Sequence, residues 1–411
     1  FATLANLRAA NDNEAPYFTA SEINQLGTGT NWQDEIFQSA VMQNHSISVM
    51  GGSDKTRVNL SGNFLDQDGI ILNSNFRQYQ LRANVDHNIN DRLKVGIDNV
   101  LSSNYTRLLT SDNAERGSGV LSGALIAPPT VLPVNSDGSY GNVRQYVFSP
   151  DIAENPVAMA LEPRNETRRN SIMSNAYIDA ELLPDLKLRS SIGLQYDVYR
   201  YDVYLPTTLN RFITGTASIR YNEQSSIVNE NILTYSTISN ADHSLTLMGG
   251  VTAQKNIEKG LLAQATGFST NTLENNNLQS ATNPGIPESG INEFTILSGL
   301  ARANYSYKSK YLLTASIRAD GSSRFGADNK WGRFPSVAAA WRVSHEDFWE
   351  PMLSVISDLK LRSSWGTTGS TAVSPYQSLN VLASYTTVFD NNLVIGFAPS
   401  NVKPNPALKW E

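Results

Sequence analysis

The sequence predicts an all-β protein, an antiparallel transmembrane β-barrel, and three observations lead to this prediction. Apolar and polar residues alternate with a period of two along many segments of the 411-residue chain. The connections between these segments alternate between short and long. Most charged residues within the segments have the same parity, which makes one face of the sheet polar and the other apolar. About a dozen strands are expected, several of them longer than the roughly 9 to 11 residues that cross a bilayer at a tilt.

The alternation is clearest in a few segments that identify the strands. In segment 78–88 and in the segments near Ile178 and Ile317, each apolar residue is followed by a polar one. In segment 78–88, for example, the apolar set is Tyr79, Leu81, Ala83 and Val85, and the polar set is Gln80, Arg82, Asn84 and Asp86.

The connections form two sets. The short ones, at 51–55, 89–92, 183–185, 239–243 and 308–310, are a few polar or turn-forming residues. The long ones, at 66–75, 104–169, 205–216, 259–292 and 321–332, are rich in Gly, Asn, Ser and Pro. Strict alternation places tight turns at one rim and long loops at the other, which is the arrangement of outer-membrane barrels, with periplasmic turns and extracellular loops.

A soluble β-sandwich is the main alternative, because its strands also alternate. A sandwich gives no reason for connections to alternate in length, or for strands to exceed the usual five or six residues. Burying the charges of the polar parity in a dry core would cost several kcal/mol each unless they were paired. We therefore expect Val95 and Ile317 to face lipid, and the following residues to face a water-filled lumen: Arg82, Asp86, Asp98, Asp179, Glu181, Arg318 and Asp320.

Composition excludes several classes of function. Charged residues make up 17% of the chain and the net charge is −6, so nucleic acid is not expected as a partner. The chain has no cysteine, and its four histidines show no metal-ligand spacing, so no metal site or cofactor is predicted. No catalytic motif occurs, and we predict that the chain is not an enzyme.

Two blocks of sequence carry a family resemblance. The first comprises NWQDEIF at 31–37, QNHSISVMGGSDKTRVNLSGNFLDQDGI at 43–70 and RQYQLRANVDHNINDRLKVG at 77–96. The second runs KYLLTASIRADGSSRFGADNKWGRFPSVAAAWRVS at 310–344 and DLKLRSSWGTTGS at 358–370. Together with NPALKWE at 405–411, they resemble the barrel of SusC/RagA-like TonB-dependent importers of the outer membrane.

The resemblance implies a barrel of about 22 strands, of which this chain would supply about 12 or 13, without the plug domain and the C-terminal strands. Residues 1–42 would be the connection from the plug and the first barrel segment, and 43–411 a partial barrel with long extracellular loops at 104–169, 259–292 and 321–332. It further implies import of oligosaccharides or peptides across the Gram-negative outer membrane, with a SusD-like lipoprotein and TonB–ExbB–ExbD as partners. A passive or adhesive barrel and a soluble carbohydrate-binding β protein are the alternatives.

Ligand contacts are expected in the long loops, because aromatic rings there offer flat faces to sugar rings. The opposing expectation is that loop aromatics pack within their own loop, and 325–331 belongs to a segment shared by the family. The candidates are Tyr140, Tyr146, Phe148 and Trp331, with Arg324 as a polar partner. An incomplete barrel also predicts an open sheet whose first and last strands lack partners.

Overall fold

The computed structural model describes residues 1–109, 119–146, 149, 153–209, 214–240 and 242–411. Its main feature is one antiparallel sheet whose strands follow one another in chain order, and this confirms the predicted architecture. The strands are β1 Met42–Gly52, β2 Thr56–Asp68, β3 Asn75–Asn90, β4 Leu93–Arg107, β5 Arg164–Leu183, β6 Leu186–Leu205, β7 Thr216–Asn240, β8 His243–Thr266, β9 Asn283–Pro284, β10 Glu288–Tyr307, β11 Tyr311–Ser322, β12 Trp331–Arg342 and β13 Lys360–Gly366. The two-residue β9 pairs with β8, and β10 follows β8 in the sheet.

The strand register divides the sheet into two faces, because residues directly opposite each other across two strands share a face. We call the face that carries Arg82, Asp179 and Arg318 the polar face, and the face that carries Val95 and Ile317 the apolar face. On the apolar face, one continuous row crosses seven strands: Val95, Ile178, Ser190, Asn231, Val251, Gly299 and Ala319.

The connections alternate in length as the sequence predicts, but the strands next to the long connections extend further than expected. β4 continues to Arg107 and β5 begins at Arg164, while β8 continues to Thr266. Three residues, 308–310, connect β10 to β11. Lys308 and Ser309 both have positive φ (51° and 53°), and Lys310 N donates to Tyr307 O at 2.9 Å. Two successive left-handed residues at the centre of this turn match the right-handed twist of the flanking strands.

Five short helices lie at the end of the sheet that carries the long connections. They are α1 Ala2–Asn11, α2 Ala20–Gln25, α3 Trp32–Ile36, α4 Val120–Ile126 and α5 Pro156–Leu161. The cores of α3, α4 and α5 merge into one cluster that includes Trp32, Ile36, Val120 and Val157. Phe1 and Phe18, beside α1 and α2, pack on Tyr146 at its edge. Trp32 Nε1 donates to Pro128 O at 2.9 Å. Residues 1–41 are thereby fixed to the β4–β5 connection, while their assignment as a plug-to-barrel connection stays a prediction. None of the described helices is long and apolar enough to span a bilayer.

The sheet is open at both edges. Within the described residues, β1 pairs only with β2 and β13 pairs only with β12. A separate hairpin follows, formed by β14 Leu382–Phe389 and β15 Asn392–Pro399. The first and last strands of the sheet do not pair with each other, which agrees with the predicted open sheet and not with a small closed barrel.

The connection between β12 and β13 contains two 3₁₀ turns, Val343–His345 and Asp347–Met352. The spacing of Ser344 and Asp347 suggests a capping box and a brief helix before Pro351. The helical turns form, but without a side-chain cap, so the capping box is wrong. Ser344 Oγ donates instead to Asp358 Oδ1 at 3.1 Å. That bond joins the beginning of the connection to its end.

Glu346 holds this connection against the end of the sheet. Its carboxylate accepts hydrogen bonds from Tyr311 Oη at 2.6 Å, Trp341 Nε1 at 2.9 Å and Lys310 Nζ at 3.0 Å. These donors, with the Tyr311 hydroxyl first, lower the pKa of Glu346 to about 2 from its ordinary value of 4.5.

Replacing Trp32 by Ala tests the attachment of the N-terminal helices. Loss of a fully buried Trp side chain costs about 3 to 5 kcal/mol, and the bond to Pro128 is lost with it. We expect limited proteolysis to cut residues 1–41 faster in Trp32→Ala than in the parent. Leu4→Ala, at a side chain that is 70% exposed, is the control and should be cut at the parental rate. Equal rates for both variants would contradict the attachment.

The low pKa of Glu346 predicts a pH dependence with a definite sign. Because the folded-state pKa lies below the unfolded value, the stabilisation is complete above pH 4.5 and is lost as the pH falls toward 2. The fluorescence of Trp341, which donates to Glu346, is expected to change over this interval. In Glu346→Gln the step should vanish; a step that persists there would assign the titration to another group.

Candidate ligand site on the polar face

The polar face carries a connected charged network near the short-turn end of the sheet. Tyr177 Oη donates to Asp86 Oδ1, and Lys94 Nζ lies 3.1 Å from Asp86 Oδ2. The Arg189 guanidinium stacks 4.1 Å from the centre of the Tyr177 ring and lies 3.2 Å from Asp179 Oδ2. Two of the predicted lumen residues, Asp86 and Asp179, are thus joined through the buried Tyr177.

Gly96 makes this network possible. It lies directly opposite Tyr177, and a Cβ at this position would overlap the Tyr177 ring. A glycine in the middle of a strand weakens the strand, and here the close approach of the ring accounts for it.

The other predicted lumen residues also lie on the polar face. Arg318 Nε lies 2.7 Å from Asp320 Oδ1, and Arg318 Nη2 lies 3.1 Å from Ser298 Oγ. Arg82 Nε donates to Gln80 Oε1 at 3.1 Å. Asp98 lies opposite Asn84, and Glu181 opposite Lys187. The register therefore places all seven on one face, and that this face lines a lumen remains a prediction.

Two of the predicted ligand aromatics are structural parts of the helical cluster. Tyr140 Oη donates to Glu162 Oε1 at 2.9 Å, and burial raises the pKa of Tyr140 to about 12. Tyr146 Oη lies 2.7 Å from Thr130 Oγ1, and its ring packs 5.8 Å from Phe18. Both rings pack against the core that includes Trp32. Phe148 lies outside the described residues.

Trp331 and Arg324 are separated by the sheet. Trp331 lies opposite Gly321 on the apolar face and is 57% exposed. Arg324 stacks its guanidinium on the ring of Phe294, 3.7 Å from the ring centre, on the polar face. The structure therefore does not bring the predicted ligand residues together, and of the described ones only Arg324 lines a polar cavity.

This cavity lies on the polar face of β6, β7, β8 and β10, toward the long-connection end, and has a volume of about 490 Å³. Its strand walls are successive rows of amide, hydroxyl and carboxylate side chains, and segment 371–376 closes one side. The side chains that line it include Gln195, Asp197, Gln224, Asn256, Glu258, Asn292, Phe294 and Arg324.

Neighbouring loops position Arg324. Phe325 is buried against Trp410 at 4.9 Å between ring centres, and Trp410 Nε1 donates to Lys330 O at 2.8 Å. Arg324 Nη1 donates to Thr371 O at 2.8 Å. Burial lowers the pKa of Arg324 from its ordinary value, because the charged form loses hydration.

Asp197 is the most buried charge of the cavity and is fully paired. It is 1% exposed, and its Oδ1 accepts from Arg169 Nε and Nη2 at 3.0 and 2.9 Å. Its Oδ2 accepts from Gln195 Nε2 at 2.8 Å.

Sequence reasoning missed these strand residues because it searched the loops for aromatic rings. One signal in the sequence could have found them. Polar residues continue at every second position into the strand halves nearest the long loops, as in Gln195 and Asp197 or Gln224 and Ser226. Among the described residues, no cluster of His, Asp and Glu side chains fits a metal ion.

Comparison with known proteins gives relatives over most of the chain. TonB-dependent receptor P3 of Formosa agariphila is 34% identical over 388 residues, covering 93% of this chain and 38% of that protein. TonB-dependent receptor SusC of Bacteroides thetaiotaomicron is 30% identical over 372 residues, covering 84% and 35%. The chain thus spans little more than a third of the length of these relatives. No family model matches the chain.

Solved structures share the fold. The RagAB peptide importer in its closed-closed state superposes with a TM-score of 0.78 at 22% identity, covering 95% of this chain and 44% of that one. The ferric citrate transporter FecA gives a TM-score of 0.53 at 8% identity, covering 82% and 43%.

The chain belongs to the TonB-dependent receptor family, with SusC among its relatives. This confirms the resemblance carried by the two sequence blocks. TonB-dependent receptors are transporters and not enzymes, in agreement with the prediction from the missing catalytic motifs. Within this receptor family, the open sheet described above corresponds to a section of a barrel.

Gly96→Ala tests the charged network of this receptor wall. The added methyl group forces the Tyr177 ring away from Asp86 and Arg189, and overpacking of this kind costs about 1 to 3 kcal/mol. Urea unfolding of the refolded receptor in lipid vesicles measures the loss. Gly299→Ala is the matched control, because a Cβ there meets no atom within 4 Å. A Gly96→Ala receptor as stable as the control would show that the Tyr177 packing is not tight.

Proposed function

We propose that the chain forms part of the wall of an outer-membrane importer, with its apolar face against lipid and its polar face toward an aqueous path for oligosaccharides or peptides. The observation that carries the proposal is the separation of the two faces in the middle and short-turn sections of strands of up to 25 residues. Strands of this length exceed what a bilayer crossing needs. Only toward the long connections does the apolar-face parity carry ion pairs, such as Lys255–Glu293.

The apolar face supports contact with lipid. Large side chains remain exposed along it, including Leu81, Ile192, Val251, Leu313 and Ile317, each 44 to 56% exposed. A contiguous apolar surface that extends over so many strands exceeds what soluble monomers expose, and it indicates a membrane or another apolar partner.

Several polar residues on the apolar face are paired with one another. Ser174 Oγ donates to Asn99 Oδ1 at 2.6 Å, and Ser190 Oγ donates to Asn231 Oδ1 at 2.7 Å. Asn231 Nδ2 donates in turn to Asn229 Oδ1 at 2.8 Å. Such pairing reduces the cost of placing a polar group where no water can reach it.

Aromatic residues mark two levels of the apolar face. Trp331 and Trp341 lie on it at opposite ends of β12. They are about ten residues apart, or about 34 Å along the strand. A tilt of about 45° reduces this to about 24 Å along the membrane normal, close to the roughly 25 Å apolar band of outer-membrane barrels. Arg333, inside this interval, has a side chain long enough to reach the interface. We therefore propose that Trp331 is an interface anchor and not a ligand contact.

The partners follow from the relatives. The structural neighbour RagAB is a peptide importer, and SusC is a TonB-dependent receptor. We propose by analogy that this receptor works with a SusD-like lipoprotein on the side of the long connections and with TonB–ExbB–ExbD through other parts of the protein. The helical cluster formed by residues 1–41, 119–146 and 153–161 lies on that same side. Its exposed Leu4, Leu7 and Leu125 offer apolar contact surface for the lipoprotein.

Uptake measurements test the import function. Cells that carry or lack the receptor gene are grown on defined oligosaccharide pools and on peptide pools, with and without a working TonB system. We expect uptake of one pool to require both the receptor and TonB. Uptake that continues without TonB would indicate a passive pore, and no difference in either pool would refute import.

Ile317→Lys tests the orientation of the two faces. A lysine on the lipid face near the bilayer midplane costs about 2 to 4 kcal/mol, whereas the neighbouring Arg318→Gln, on the polar face, should have a clearly smaller effect. The free energy of unfolding of the receptor in phospholipid vesicles measures both. Equal losses, or a larger loss for Arg318→Gln, would contradict the proposed orientation.

A further inference from the structure

Some polar side chains of the cavity have hydrogen-bond partners within the protein, and others have none. Asp197 is saturated by Arg169 and Gln195, and Asn256 Oδ1 accepts from Gln254 Nε2 at 3.2 Å. Within the described part of the chain, the side-chain amides of Gln224 and Asn292 and the Nη2 atom of Arg324 make no hydrogen bond. The free donors at this cavity are the amide groups of Gln224 and Asn292, Arg324 Nη2 and the buried Asn256 Nδ2, and the free carboxylate among its described lining residues is that of Glu258.

Arg324 also lacks a counter-ion. Its guanidinium is half-buried between Phe294 and the Thr371 carbonyl, and no described carboxylate lies within 4 Å of it. Its Nε is sealed from solvent without a partner. A guanidinium that has lost part of its hydration without gaining a carboxylate is costly in free energy, and an anionic group from outside relieves that cost.

Glu258 limits the charge that this cavity accepts. It lies on the polar face opposite Gln224 and Asn292, two positions along β8 from Asn256. Its negative charge disfavours a dianion such as a phosphate ester more than a monoanion. The planar fork of a guanidinium and two amide donors matches the two oxygens of a carboxylate.

We propose that this cavity is a subsite for a carboxylate of the imported ligand, held by Arg324 with Gln224 and Asn292. The carboxylate belongs to a uronic-acid sugar or to a peptide. The volume of about 490 Å³ admits one sugar ring or a short peptide end. This inference rests on the proposed import function and adds the chemical class of the group that the wall recognises.

The cavity lies where an incoming ligand passes. Phe294 is about 13 residues from the short-turn end of β10, which corresponds to roughly 30 Å along the membrane normal for a tilted strand. Its level is therefore close to the long-connection rim. Segment 371–376 covers the side of the cavity through the Thr371 bond and through Tyr376 Oη, which accepts from Glu293 N at 2.9 Å.

The test compares matched ligands on the purified full-length receptor in detergent. One pair is an oligogalacturonide and its methyl ester, and the other is a short peptide and its C-terminal amide. Binding is measured by calorimetry at low and high salt. We expect the acid of one pair to bind more tightly than its neutral partner, and the pair that shows the preference identifies the source of the carboxylate.

Variants assign the preference to the cavity. Arg324→Gln should weaken binding of the acid about 10- to 100-fold, the range for one charged hydrogen-bonding group, and should leave the neutral partner nearly unchanged. Glu258→Gln, the matched charge control on the same face, should strengthen binding of the acid. Arg324→Lys, which keeps the charge without the fork, should lie between the parent and Arg324→Gln, and it separates loss of the site from misfolding.

Two results would overturn the proposal. One is equal binding of acid and neutral ligands by the parent in both pairs. The other is an acid preference that Arg324→Gln retains. Either result leaves the import function intact if the neutral ligands still bind and are taken up. A receptor that binds and imports neither oligosaccharides nor peptides would instead refute the proposed function itself.

Discussion

The antiparallel register is the constraint on which the rest of this structure depends. Side chains alternate between faces with a period of two, so a slip of one residue anywhere would move a whole strand's charges to the apolar face. Within the described strands, the register is irregular at Asn88/Asn90, Glu181/Leu183 and Ile238/Asn240. All three lie beside short turns. The irregularities therefore reshape the turns, and the parity of the long middle sections is preserved.

The preserved parity also explains why polar side chains form rows across several strands. Gln195, Ser226, Asn256 and Phe294 are successive cross-strand partners on β6, β7, β8 and β10. The next row contains Asp197, Gln224, Glu258 and Asn292. No single segment carries the cavity. It exists because four strands align two rows of polar residues, and because the connection around Arg324 closes over their end.

Sequence alone was sufficient for features that depend on local periodicity. The strands, the order of short and long connections and the faces of Val95, Arg318 and Ile317 follow from alternation within ten to fifteen residues. The positions of the ligand candidates do not follow from local alternation, because they depend on contacts between residues that are far apart in the sequence. Tyr146 packs against Phe18 from the N-terminal segment, and only the strand register shows that Trp331 and Arg324 lie on opposite faces.

The open edges of the sheet bear on which parts of the receptor contact a ligand in the cavity. β1 and β13 each present a row of backbone N–H and C=O groups without strand partners in the described chain, and in hydrocarbon each such group costs several kcal/mol. A wall of this kind is stable in a membrane only when further strands complete it, and the relatives are more than twice as long as the matched region. In a barrel closed by further strands, the opposite wall lies across the lumen from Arg324. The carboxylate subsite would therefore orient one end of a ligand, while the remaining contacts come from parts of the receptor beyond this sheet.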